Sequence, residues 1–118
     1  MSTTYAVLFP GNEKAWADAA PEERARVYGL HEEFMRLLAE RGHTVKGGAE
    51  LAHSSQAKVL RGTLDRVSVT EGPYAETVEQ LTGFYLVETD DLDDLLNLCG
   101  LLSEGEPIEV RACLDPVT

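Results

Sequence analysis

Residues 70–88 read TEGPYAETVEQLTGFYLVE, and the way this stretch is divided decides the fold. Gly72-Pro73 is a strong turn signal, because Gly tolerates positive φ and Pro fixes its own. Gly72, placed before Pro, is also steered away from the helical region. Thr77 to Gln80 is expected to form a short helical turn, after which Gly83 restarts a sheet. Phe84 to Glu88 then reads as a strand. The segment is a corner that delivers the chain into a strand. Turn geometry accounts for Gly72 and Pro73 but not for Tyr74, Glu76 or Thr77. A phenol, a carboxylate and a hydroxyl on a loop beside an open sheet face are candidate ligand-binding groups.

Outward from that strand, the rest of the chain falls into place. Asp90 is expected to cap a helix from about Asp91 to Leu102, with Leu92, Leu95, Leu96, Leu98 and Cys99 on its buried face. Ile108 to Leu114 reads as the last strand. Upstream, Leu64-Asp65 is the turn of a hairpin between strands at Ala57–Arg61 and Arg66–Thr70. Val45 to Leu51 forms an earlier strand, interrupted at Gly47-Gly48. At the start, Tyr5 to Phe9 is a strand that Pro10-Gly11 should end. Asn12 to Ala17 can make one helical turn. Pro21 suits the first position of a longer helix, with Glu22 and Glu23 complementing its dipole. Tyr28, His31, Phe34 or Met35, and Leu38 recur along it at helical spacing, and Gly42 ends it.

The order is β-α-β-β-α-β with an extra hairpin between the halves. It defines an α+β fold of the ferredoxin-like class: an antiparallel sheet with its helices on one face. At 118 residues, with no linker or repeat, the chain reads as one domain spanning 1–118. Along the last strand Ile108, Val110, Ala112 and Leu114 should lie under the helices, with Glu109, Arg111 and Cys113 on the other face. That second face is part apolar and part polar, a composition suited to cover by another subunit.

Net charge is −11, with ten scattered basic residues, which argues against a nucleic-acid partner. No apolar run is long enough to cross a bilayer, and Met1 to Thr4 lacks a basic lead into an apolar signal core. A cytoplasmic protein with no membrane partner is expected. Cys99 and Cys113 are not spaced as a redox or metal motif, and packing explains Cys99. His31, His43 and His53 lack metal-ligand spacing. The acidic run Glu88 to Asp94 lacks the Gly and register of a calcium loop. No metal and no cofactor are expected.

The chain resembles the YCII-related family, in particular the branch named for an Asp-Gly-Pro-Phe motif. The family opening is similar to Leu8 through Glu13, with Trp16 and Pro21-Glu22-Glu23 following. The motif Asp-Gly-Pro-Phe-Ala-Glu-Thr-Lys-Glu is matched by Glu71 through Glu79, Gly-Tyr-Tyr-Leu by Gly83 through Leu86, and Val-Glu-Val-Arg-Pro by Ile108 through Ala112. The resemblance implies a dimer of the dimeric α/β-barrel type, with sheets paired face to face. It implies a genomic association of some members with sigma factors, hence an indirect link to sigma-factor regulation. The wider family includes a dehydrochlorinase, and many members carry a His-Asp dyad. The resemblance puts the His at His31 and the Asp at Asn12.

Asn12 can orient an imidazole by hydrogen bonding but supplies no charge to stabilise imidazolium. The expected function is therefore a cleft near His31 that binds a small polar or aromatic molecule. His31 would be the reactive group, Asn12 its orienter, and Tyr74, Glu76, Thr77 and Arg111 the ligand-binding groups. The alternative is a small-molecule lyase or isomerase with His31 as general acid/base.

Overall fold

A computed structural model describes residues 2–115. It contains strands β1 (Thr3–Asn12), β2 (Thr44–Glu50), β3 (Lys58–Thr63), β4 (Arg66–Glu71), β5 (Glu79–Thr89) and β6 (Glu109–Ala112). The helices are α1 (Glu13–Ala17), α2 (Pro21–Glu40) and α3 (Leu92–Ser103), with a single 3-10 turn at Ser54–Gln56. The result is a mixed α+β fold. Its main sheet has the order β2-β5-β1-β6 with every neighbouring pair antiparallel, and β3-β4 form a separate two-stranded sheet.

The pairing register assigns the faces. Val7 lies opposite Tyr85 and Val110, and Tyr5 opposite Val87. Val7 and Val87 are fully buried against Phe34 and Leu38 of α2 and Leu95, Leu98 and Cys99 of α3. Both helices therefore cover one face. Because side chains alternate, Ala6, Leu8, Phe84, Leu86, Glu109 and Arg111 point to the other. Burial pushes the Cys99 thiol up to about 11, so it acts as a small apolar core residue. Ile108 and Val110 pack on the core as their alternation requires, whereas Leu114 is exposed beyond the end of β6.

Several boundaries differ from the sequence reading. β1 does not stop at Pro10-Gly11; it runs to Asn12 through a register shift between Phe9 and Pro10. Pro10 cannot donate to a ladder, and a bulge is how a strand passes such a residue. The continuation gives Gly11 and Asn12 partners at Gln80 and Glu79. This is why the helical turn expected at Thr77–Gln80 is absent and β5 begins at Glu79. A strand edge already in place offers more backbone hydrogen bonds than a single isolated turn. Asp91, not Asp90, caps α3, accepting from the Asp94 amide at 3.1 Å.

Gly72 takes φ +93 at the corner below the β3-β4 hairpin, the backbone state that the Gly-Pro pair suggested, and its amide donates to the Ala57 carbonyl at 2.8 Å. β2 runs through Gly47-Gly48, and its irregularity falls just before them, as a register shift against β5 between Val45 and Gly47. Gly48 approaches β5 so closely that a Cβ there would sit 2.5 Å from the Phe84 carbonyl oxygen.

Candidate functional site

A cleft of about 890 Å³ opens on the helix-covered side, at the end of the sheet where β1 runs into α1. It exists because the sheet is nearly bare there. Gly11, Gly48 and Gly83 carry no side chains into the space, and α2 bridges it with Tyr28 and His31. The stretch Glu50 to His53 and helix α1 close the sides.

His31 is the central polar group. Its Nδ1 lies 2.7 Å from the Tyr85 hydroxyl. The Phe9 ring meets it edge-on at 5.5 Å between centroids. Its Nε2 has no hydrogen-bond partner among the described residues. Burial holds the His31 pKa below the ordinary imidazole value, opposed by the nearby Glu50 carboxylate. The ring is thus neutral at pH 7, with Nδ1 hydrogen-bonded and Nε2 without a partner among the described residues. Burial likewise raises the Tyr85 phenol, so Tyr85 stays protonated and its hydrogen bond at Nδ1 holds the neutral ring in one tautomer.

The rim is held by two further carboxylates. The Tyr28 hydroxyl lies 3.0 Å from each Glu50 carboxylate oxygen, and this hydrogen bond raises the Tyr28 phenol above its usual range. Tyr28 also stacks edge-on with Trp16 at 5.5 Å. Glu13 receives the Ser54 amide at 2.7 Å and the Ser54 hydroxyl. Burial pushes the Glu13 carboxyl up, but those two hydrogen bonds and the neighbouring His53 outweigh it and hold the group low. Glu13 thereby ties α1 to the 3-10 turn and fixes one wall of the cleft.

The structure brings His31 and Asn12 to the same cleft. Asn12, however, spends its side-chain oxygen on the Ala15 amide at 3.1 Å, as the N-cap of α1, and the hydroxyl that orients His31 belongs to Tyr85. Tyr74, Glu76, Thr77 and Arg111 do not line this cleft. Tyr74 is exposed beside Pro73, His53 and Gln80 in a smaller depression of about 440 Å³. Glu76 is exposed on the same loop. The Thr77 hydroxyl donates to the Glu79 carbonyl, which starts β5. Arg111 lies on the helix-free face, 2.6 Å from Glu109. Among the described residues no group of three or more His, Cys, Asp or Glu side chains is arranged to hold a metal ion.

Sequence reading did not pair Tyr85 or Glu50 with His31. The available signal was the alternation of β5, which puts Tyr85 on the same face as Val87, under the helix that carries His31.

Residues 3–100 match the YCII-related domain family. An uncharacterized protein of Rhizobium meliloti (strain 1021) is 35% identical over 103 residues, covering 87% of this chain and 82% of that protein. The chain belongs to the YCII-related domain family. Among the described residues no helix is long and apolar enough to cross a membrane.

Proposed function

We propose that this YCII-related protein binds a small polar or aromatic molecule in the cleft beside His31, as a homodimer of ferredoxin-like subunits. The observation that carries the binding reading is the two-sided state of His31, a residue that lines the cleft: Nδ1 is fixed by Tyr85, while Nε2 is unpartnered among the described residues. The volume of about 890 Å³ falls in the range of roughly 300–1,000 Å³ common for small-molecule sites. Aromatic walls from Phe9, Trp16 and Tyr28, with Glu50 at the rim, suit a ring that carries hydrogen-bonding groups. Asn12, with its oxygen engaged, would offer its amide N–H groups to such a ligand.

The ferredoxin-like assignment is supported by the order β2-β5-β1-β6 with α2 and α3 on one face. Membership of the Asp-Gly-Pro-Phe branch is supported by Glu71-Gly72-Pro73-Tyr74 and the positive φ of its glycine.

A second reading, a lyase or isomerase with His31 as general acid/base, is favoured by one feature. The Glu50 carboxylate favours the protonated ring, which gives a proton accepted at His31 partial charge compensation. Nδ1 itself faces a neutral phenol, which orients the ring but stabilises imidazolium less than a carboxylate would. Binding without turnover is therefore the primary reading.

Titrating the protein with a panel of phenols and small aromatic acids, while following the His31 ring resonances by NMR, tests both readings. Saturable shifts are expected, and the accompanying shifts of the Tyr85 and Phe9 rings beside His31 should vanish in His31→Gln. No shift with any member of the panel sinks the binding reading. Conversion of a bound compound, lost in His31→Gln, would replace it with the catalytic one.

A further inference from the structure

The hairpin β3-β4 is joined to the main sheet by no ladder, and a two-stranded hairpin alone is marginal in water. Its register gives it two unlike faces. Leu60 lies opposite Val69 and Gly62 opposite Val67, so Leu60, Val67 and Val69 share one face. Arg61, Ser68, Thr63, Arg66 and Thr70 share the other with one apolar residue, Val59. The apolar side chains are 47–62% exposed, and Leu64 at the tip is 88% exposed. Amphipathic alternation of this kind belongs to a strand pair with one face covered, yet nothing among the described residues covers it.

The main sheet has a face that the helices do not cover, where its apolar side chains are half-buried. Ala6, Leu8, Phe84 and Leu86 occupy the face opposite the helices, with Glu88 and Glu109 beside them. The chain exposes 8341 Å², where a compact monomer of this mass exposes roughly 6,300 Å². Its radius of gyration is 16.6 Å, against about 13.5 Å for a compact chain of this length. Two chains that each lose the excess of roughly 2,000 Å² would bury an area typical of obligate homodimers.

Charge points to the same occupant. Residues 57–72 carry Lys58, Arg61 and Arg66 against Asp65 and Glu71, a net charge of +1, so the other 102 residues of this chain at −11 carry −12. Arg61 and Arg66 have no carboxylate within ion-pair distance among the described residues. A weakly basic arm on a strongly acidic body is complementary to a second copy of that body.

We infer that the β3-β4 hairpin is a dimerisation arm. Its Leu60-Val67-Val69 face packs on a second copy beside the helix-free sheet faces that the two copies pair, and the arm's net positive charge meets that copy's acidic body. The inference rests on the homodimer reading above and adds to it the element that clasps.

Sedimentation equilibrium of the full chain at micromolar concentration, beside two variants, tests it. Wild type is expected at twice the chain mass. Leu60→Glu combined with Val69→Glu removes two buried apolar anchors and should weaken the dimer on the order of a hundredfold. Arg61→Glu combined with Arg66→Glu should weaken it most at low salt, because screening removes the effect. Wild type at the chain mass overturns dimer and arm together. A wild-type dimer that both variants match overturns the arm alone. Hydrogen exchange of wild-type arm amides gives a readout free of any folding defect: protection lost on dilution is expected, and arm amides exchanging freely in the intact dimer overturn the proposal.

Discussion

The Tyr85 hydroxyl lies 2.7 Å from Nδ1 of His31, joining the central strand β5 to the helix that crosses it. The two residues are 54 positions apart, and the contact depends on β5 presenting Tyr85 and Val87 to the helix layer. Removing the hydroxyl with Tyr85→Phe keeps the ring, which also packs against Phe34 and Phe9. The loss should be about 1 kcal/mol, the net worth of a neutral hydrogen bond. It should also release the imidazole tautomer. The Nδ1 and Nε2 nitrogen resonances of His31 are expected to move toward each other in Tyr85→Phe. Unchanged nitrogen shifts would show that Tyr85 does not hold the ring.

The depressed pKa of His31 gives stability a pH dependence of definite sign. Burial lowers the folded-state value below the ordinary 6.5, so between the two values the unfolded chain binds more protons. Stability then rises with pH. This contribution is fully present above about 6.5 and is lost as pH falls through the folded value. Thermal midpoints measured from pH 7.5 down to 5 should fall more steeply for wild type than for His31→Gln. The difference between the two curves isolates His31 from other groups that titrate in the window. Parallel curves would mean that the ring is solvated in both states.

The fold was largely legible in the sequence because its signals are local. Pro21, the stripe from Phe34 to Leu38, and the Leu95-Leu98-Cys99 face each specify an element within its own neighbours. Strand ends were harder to read, since the continuation of β1 past Pro10 and the early start of β5 depend on each other across some seventy residues. The site was legible only at its anchors. His31 interrupts an apolar stripe and Asn12 follows the first strand, so both draw attention. Tyr85 and Glu50 join them only through sheet register, and Tyr74, Glu76 and Thr77 belong to a loop that the sheet carries away from the cleft. The opening stretch is thus chiefly a corner, and its contribution to the cleft comes from Gly83 and Tyr85.

A second histidine is locked more completely than His31. His43 is 6% exposed, with Nδ1 2.7 Å from the Thr89 hydroxyl and Nε2 2.7 Å from the Asp94 carboxylate. The Thr89 oxygen accepts the Asp91 amide at 2.9 Å, which leaves its proton for Nδ1, so the imidazole proton sits on Nε2 and is donated to Asp94. One ring therefore ties the start of β2 to the end of β5 and the first turn of α3. The hydrogen bond from His43, together with Arg41, holds the Asp94 carboxyl below the usual carboxylate range. Replacing the ring by His43→Leu keeps the bulk but leaves the buried Thr89 hydroxyl proton without an acceptor and removes the hydrogen bond to Asp94. The expected cost is about 1–3 kcal/mol, the penalty for a buried polar group without its partner. Equilibrium urea unfolding should show a lower midpoint at constant slope, because the native surface is unchanged. A midpoint equal to wild type in His43→Leu would show that this network fixes geometry without contributing to stability.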